Sequence, residues 1–208
     1  KKLVFGDVGV AGLPGPTETI VIADADAKPE WVAADLLAQA EHDVLASAIL
    51  LTPSAELARA VQECVEEYLT ALPRADIITQ TFSRGSGIVL VRDLDEACAL
   101  ADRYAPEHLC LAVREPWAWA PKIQHAGGLF LGEHSFEVLG DYIAGPSHVM
   151  PTGGTARFMS PLSAVDFVRI TSIVALDPAT TATIAPQAAL LADAEGLAGH
   201  ALSARSRA

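Results

Sequence analysis

The chain has 208 residues, of which 51% are hydrophobic and 19% charged. A chain of that composition buries enough apolar surface to offset its ordering entropy, which excludes disorder as its main state. Fourteen Lys and Arg against 26 Asp and Glu leave a net charge of -12, so no nucleic acid and no anionic membrane surface is expected as a partner.

Lys1-Lys2 is followed by a short run that breaks at Gly6, which is not the opening of a signal peptide. The chain does not start with Met, which leaves room for an upstream segment. Thr19 to Ala23 (TIVIA) reads as a buried strand. Pro29 to His42 reads as a helix, with Pro29 suited to its first turn. Ser47 to Leu51 is a second strand. Ser54 to Leu72 carries the clearest helical periodicity, with Leu57, Val61, Cys64, Val65, Tyr68 and Leu69 on one face. Gly87 to Val91 is a third strand, and Leu94 to Tyr104 a helix that must stop near Pro106. Leu109 to Val113 and Gly128 to Gly132 are two more strands, with a helix between them around Trp119 to Ala126. Gly145 to Thr155 is a Gly/Pro-rich loop. After Ser163 the pattern is helical and Ala-rich to the end. No run reaches the roughly 18 apolar residues of a membrane span. The rhythm predicts an α/β fold: a mostly parallel sheet flanked by helices, an incomplete Rossmann-like domain over 1–162, with a helical C-terminal arm over 163–208.

Cys64, Cys98 and Cys110 form no CxxC pair, so they read as reduced packing residues of a cytoplasmic protein, and a thiolate metal site is not expected. No G-x-G-x-x-G opens a helix after a strand, and there is no P-loop, nucleophile elbow or H-E-x-x-H. The chain therefore shows no nucleotide site of its own.

Four places carry candidate chemistry. On the Pro29–His42 helix, Asp35, Gln39 and His42 form a polar stripe on an otherwise apolar cylinder flanked by Trp31, Val32 and Ala38. It is either a solvated helix end or, at i, i+3, a pair able to reach one metal ion. Ala105-Pro106-Glu107-His108-Leu109 places Glu beside His where a helix stops and a strand begins. That is either an exposed connection or, at a strand mouth where α/β sheets bind ligands, a tunable acid–base pair. Asp141 and His148 flank a Gly-Pro turn, and Pro151 to Arg157 offers backbone N–H groups in an anion-friendly turn, or a plain flexible one. Glu195 and His200 lie in the Ala-rich tail, where alone they read as solvated. His125 and His134 read as surface or structural.

These segments, together with Leu13-Pro14-Gly15-Pro16-Thr17-Glu18-Thr19 and Leu139-Gly140-Asp141-Tyr142, resemble the C-terminal half of histidinol dehydrogenase in order and spacing. The resemblance covers nearly the whole chain. Family members are about twice as long, with most NAD contacts in the other half, so the resemblance implies a fragment or truncated product. It implies oxidation of L-histidinol to L-histidine in two NAD-dependent steps, within histidine biosynthesis, on a bound zinc ion. Gln39, His42 and Asp141 match zinc ligands. His200 matches a fourth that comes from the partner subunit of a homodimer. Glu107 and His108 match the catalytic pair, His108 as general base and Glu107 as activator of water. Thr17, His148 and Glu195 match substrate contacts, beside Gln39, His42, His108, Asp141 and His200. A Gln, two His and an Asp form an N/O set suited to zinc without thiolates. Two other classes stay open on the residues alone: a zinc hydrolase built on Glu107 and His108, and a non-catalytic interaction fragment.

Overall fold

A computed structural model describes residues 1–208. They divide into two units, Lys1–Phe167 and Val168–Ala208. The first is an α/β layer structure. Its five strands are β1 (Glu18–Ala23), β2 (Ser47–Thr52), β3 (Gly87–Leu90), β4 (His108–Ala112) and β5 (Gly128–Leu131), all parallel in the order β3-β2-β1-β4-β5. The apolar runs supply these strands because parallel sheets are covered on both faces.

One sheet face carries Val21, Ala23, Ala48, Leu50, Cys110 and Ala112 against α1 (Pro29–Ala40), α2 (Ala55–Leu69) and α3 (Ala75–Phe82). The other carries Ile20, Ile22, Leu51, Leu109 and Leu111 against α4 (Leu94–Tyr104). The alternation fixes two side chains that matter below. Thr19 and His108 are paired neighbours across β1 and β4, and the period of two puts them on the α1 side with Val21 and Cys110. Caps hold the helices: Ser54 Oγ accepts from the Leu57 N–H of α2, and Asp93 accepts from the Glu96 N–H of α4.

Several elements differ from expectation. The long second helix ends at Leu69 and a separate α3 follows, because Pro73 interrupts the run. Between β4 and β5 the helix is short and early: α5 (Pro116–Trp119), then one tight turn at Ala120–Lys122. A short α6 (Glu137–Tyr142) follows β5, where no helix is predicted. Its Gly140 conceals the periodicity but serves the packing, since a Cβ there would stand 2.6 Å from the Phe130 ring. After Ser163 the chain is not continuously helical. Residues 168–177 form no helix, in keeping with the β-branched Ile170, Thr171, Ile173 and Val174. The second unit's helices are α7 (Pro178–Ala194), capped by Asp177, and α8 (Ala198–Arg205). No helix is long and apolar enough to cross a membrane. Cys98 and Cys110 are buried and Cys64 packs on the core edge, all three as free thiols.

Of the α1 stripe, Gln39 is buried, Asp35 half-buried and His42 exposed. Asp35 lines a cavity of about 280 Å³ with Trp31, Ala34, Glu133, His134 and Phe136. Burial, with the Glu133 carboxylate nearby, pushes the Asp35 carboxyl from its ordinary 3.8 to about 7. The unfolded chain releases this proton near 3.8 and the folded chain only near 7. The folded state therefore binds more protons across that window and loses stability as pH rises through it. Asp35→Asn removes the ionising group. Urea unfolding is expected to show the variant stabilised by about 2–4 kcal/mol near neutral pH and above, with little gain at pH below about 4.

Candidate functional site

Thr17, Gln39, Glu107, His108 and Asp141 come from four separated stretches and meet at one edge of the sheet. It is the amino edge, not the carboxyl mouth expected for a ligand site. His108 is the first residue of β4. Gln39 lies in the last turn of α1, which runs back antiparallel to the strands. The carboxyl edge has its own crevice of about 330 Å³, lined by Asp24, Asp26, Arg114, Glu133 and His134 among others. Its polar groups satisfy one another: Asp24 accepts from the Asp26 and Arg114 N–H groups, Arg114 pairs with Asp26, and Glu133 accepts from the Lys28 N–H at 2.6 Å.

The amino edge is different. Gln39 is fully buried, Glu107 8% and His108 4% exposed, so the Glu-His dipeptide is not an exposed connection. Gln39 Nε2 donates to Thr17 Oγ1 at 2.8 Å. Gln39 Oε1, Glu107 Oε2 and His108 Nε2 have no hydrogen-bond partner. Each such buried atom costs about 1–3 kcal/mol, and three in one place mark a surface shaped for something else to bind.

Around the imidazole, His108 Nδ1 stands 3.4 Å from Thr19 Oγ1, 3.6 Å from Glu137 Oε1 and 3.8 Å from Glu107 Oε2. Its Nε2 stands 3.9 Å from Asp141 Oδ1. Burial pulls His108 down to about 4, against the opposing pull of Asp141 and reinforced by His42 and His148 nearby. The ring is therefore neutral near neutral pH. Burial raises the Glu107 carboxyl to about 7, opposed by the Thr17 hydroxyl. It raises Glu137 to about 8, opposed by the Thr19 hydroxyl. A neutral imidazole with a bare nitrogen, beside a carboxyl poised near 7, can take and return protons.

His42 sits just past the end of α1, exposed, with its N–H bonded to the Gln39 carbonyl at 3.3 Å. The i, i+3 pair thus spans the helix end and does not lie along a regular helix. The turn after Pro151 binds an anion of its own. Gly153 and Gly154 both take positive φ, 61° and 76°, open to glycine without strain. The Gly153 N–H donates to the Glu18 carboxylate at 3.1 Å. In the second unit, Glu195 and His200 are exposed and line one groove between α7 and α8. His134 stacks edge-on against Trp31 at 5.3 Å; His125 lies 3.9 Å from Asp102.

No three His, Cys, Asp or Glu side chains come together closely enough to hold a metal ion. The expected zinc set has only two of that kind in this unit, His42 and Asp141, with the Gln39 carboxamide as the third. The buried, unpartnered Gln39 Oε1 and the hard and borderline N/O donors fit such an ion.

The family model for histidinol dehydrogenase matches residues 1–208. The chain is 54% identical over 97% of its length to the histidinol dehydrogenase of Moorella thermoacetica, and 53% over 98% to that of Thermus thermophilus. The chain belongs to the histidinol dehydrogenase family. A crystal structure of the enzyme from Elizabethkingia anophelis superposes with a TM-score of 0.85 at 38% identity, over 93% of this chain and 45% of that one. The chain spans about half the length of the curated relatives it matches, 47% and 49% for the two named.

Sequence reasoning missed Glu137. A single Glu before Val-Leu-Gly carries no signal by itself; its i, i+4 spacing to Asp141 is the one cue. It also missed the backbone that aims Glu107. Ala105 holds a left-handed φ of 58° at the end of α4, a strained state for a residue with a Cβ. Gly127 then passes so close that a Cβ would stand 2.5 Å from the Glu107 carbonyl oxygen. Gly127→Ala is therefore expected to destabilise the chain by about 1–3 kcal/mol. Chemical denaturation measures the loss, and a moved His108 ring resonance in the folded variant reports the displaced dipeptide.

Proposed function

We propose that the chain is the substrate-binding and zinc-binding part of an NAD-dependent histidinol dehydrogenase, which oxidises L-histidinol to L-histidine in two steps. The observation that carries the reading is the trio of buried, unpartnered atoms, Gln39 Oε1, Glu107 Oε2 and His108 Nε2, in a chain of this family. Family membership favours oxidation over hydrolysis at Glu107 and His108. The burial of both argues against a merely solvated interaction surface.

Gln39, His42 and Asp141 hold the metal from this unit, and His200 completes the set from a second copy of the chain in a homodimer. Zinc, when bound, supplies a template that fixes the imidazole and amino groups of the substrate, and NAD supplies the hydride acceptor. His108 takes the hydroxyl proton at Nε2 in the first oxidation, a role open to it because its ring is neutral. Glu107 takes a proton from the water that adds to the aldehyde before the second. Thr17, His148 and Glu195 contact the substrate. A C-terminal arm over 163–208, packed on the neighbouring subunit, accounts for the apolar side chains left in water in its non-helical part: Val168, Ile170, Ile173 and Val174 are 65–93% exposed. A cytoplasmic location suits a protein with three free thiols.

Most of the NAD site lies in the part of the relatives that this chain does not span. The isolated chain is therefore expected to give little or no histidinol oxidation. Co-expression with the amino-terminal half of the Moorella thermoacetica relative is expected to give turnover, which His108→Gln lowers by about 10²–10⁴-fold. Equilibrium dialysis is expected to show zinc bound by the chain, weakened at least tenfold by Gln39→Ala or Asp141→Ala, and weakened on dilution. Unchanged zinc affinity in both variants contradicts the ligand assignment; robust oxidation by the chain alone contradicts the division of labour.

A further inference from the structure

α6 places two carboxylates on one imidazole. Glu137 and Asp141 are four residues apart, one helical turn, and so share a face. Glu137 Oε1 stands 3.6 Å from His108 Nδ1, and Asp141 Oδ1 3.9 Å from His108 Nε2. The close approach of Gly140 to the Phe130 ring fixes α6 against β5, and that ring lies 6.0 Å from the His108 ring. The two ends are not equivalent. On the Nδ1 side the Thr19 hydroxyl donates to Glu137 Oε2, and its oxygen faces Nδ1 at 3.4 Å. A hydroxyl has one proton to give. Once Thr19 gives it to Glu137, its oxygen is left to accept, and the atom opposite is Nδ1. On the Nε2 side nothing bonds to the ring.

We propose that Glu137 and Thr19 are positioning residues: the Glu137 carboxyl orients the Thr19 hydroxyl, which accepts the Nδ1 proton of His108 and so leaves Nε2 bare. Hydrogen runs one way, from Nδ1–H to Thr19 Oγ1 and from Thr19 Oγ1–H to Glu137 Oε2. The direction requires Glu137 Oε2 as the acceptor, as in the carboxylate or in the acid with its proton on Oε1; an acid proton on Oε2 would donate to Thr19 and reverse the run. Burial makes the arrangement rigid: Thr19 is 0%, Glu137 3% and His108 4% exposed, so no water competes to turn the hydroxyl. Parallel register brings Thr19 to His108, Glu137 takes the proton of its hydroxyl, and the Glu18 backbone also reaches the ring. The inference rests on the reading of His108 as proton acceptor and deepens it, because a base with its proton on the wrong nitrogen cannot act.

The test is nitrogen NMR of the histidine side chains in the metal-free, full 208-residue chain, with His108 assigned by the resonance lost in His108→Gln. The wild-type ring is expected to carry its proton on Nδ1. Thr19→Val keeps the shape but removes the accepting oxygen, and is expected to shift the ring toward the Nε2–H tautomer. Thr19→Ser is expected to restore Nδ1–H, a rescue that a purely structural role for Thr19 does not predict. Glu137→Leu is expected to act as Thr19→Val does; should it not fold, the Thr19 pair decides alone. An unchanged Nδ1–H tautomer in folded Thr19→Val, or an Nε2–H ring in the wild type, overturns the proposal. The base role is tested apart from this: full turnover by His108→Gln in the co-expressed enzyme would remove that reading and leave the tautomer result standing.

Discussion

The site depends on an imidazole held out of water among acids. His108 begins β4 with Thr19 as its paired neighbour, and Glu107, Glu137 and Asp141 surround it. In water such a ring would share its proton with the nearest carboxylate. Here burial acts on both kinds of group in opposite directions: it drives the imidazole to about 4 and the Glu107 and Glu137 carboxyls to about 7 and 8. Desolvation penalises every charge, so the cluster is least costly with the ring neutral and acid protons retained. The same burial that weakens the ring as a base keeps it in the only form able to accept a proton near neutral pH.

Much of the fold is legible because its signals are local. TIVIA, SAILL, GIVLV and the two later runs are apolar stretches of strand length, and each becomes a strand of one parallel sheet. The amphipathic second helix declares itself by period. What is not legible is decided by contacts between distant residues. α6 has a glycine in its middle, which lowers helix propensity, yet Gly140 is there because Phe130 leaves no room for a Cβ. Residues 168–177 precede the Ala-rich run and carry β-branched positions, and β-branching stiffens side chains against the helix.

For the candidate site the divide is similar. The Glu107-His108 dipeptide and the Gln39 stripe stand out as polar groups in apolar surroundings, and the structure buries Gln39, Glu107 and His108 while His42 stays exposed. The choice between solvated and buried follows from α1 being apolar nearly all round, a whole-helix property. Glu137 leaves no such trace. Its place depends on the angle at which α6 meets β5, which no spacing along the chain encodes. Thr19 is hidden for another reason: within TIVIA it reads as one more strand residue, and only the pairing of β1 with β4 shows what its hydroxyl faces.

The edge on which the site sits follows from how parallel sheets are wired. A helix that crosses from one strand to the next runs antiparallel to both, so its last turn returns to the amino edge. Gln39 at the end of α1 and Glu107 after α4 are delivered there by that rule, and β1 and β4 begin at the same place. The usual ligand crevice of such sheets lies at the other edge, where strand order reverses between β1 and β4. In this chain that crevice has its acids and its arginine already paired. Its polar groups want nothing further, whereas the amino edge keeps three buried atoms without partners. A buried polar atom without a protein partner is accounted for by a bound ligand, ion or water or by a catalytic role, so the connection wiring and the hydrogen-bond inventory point to the same edge independently.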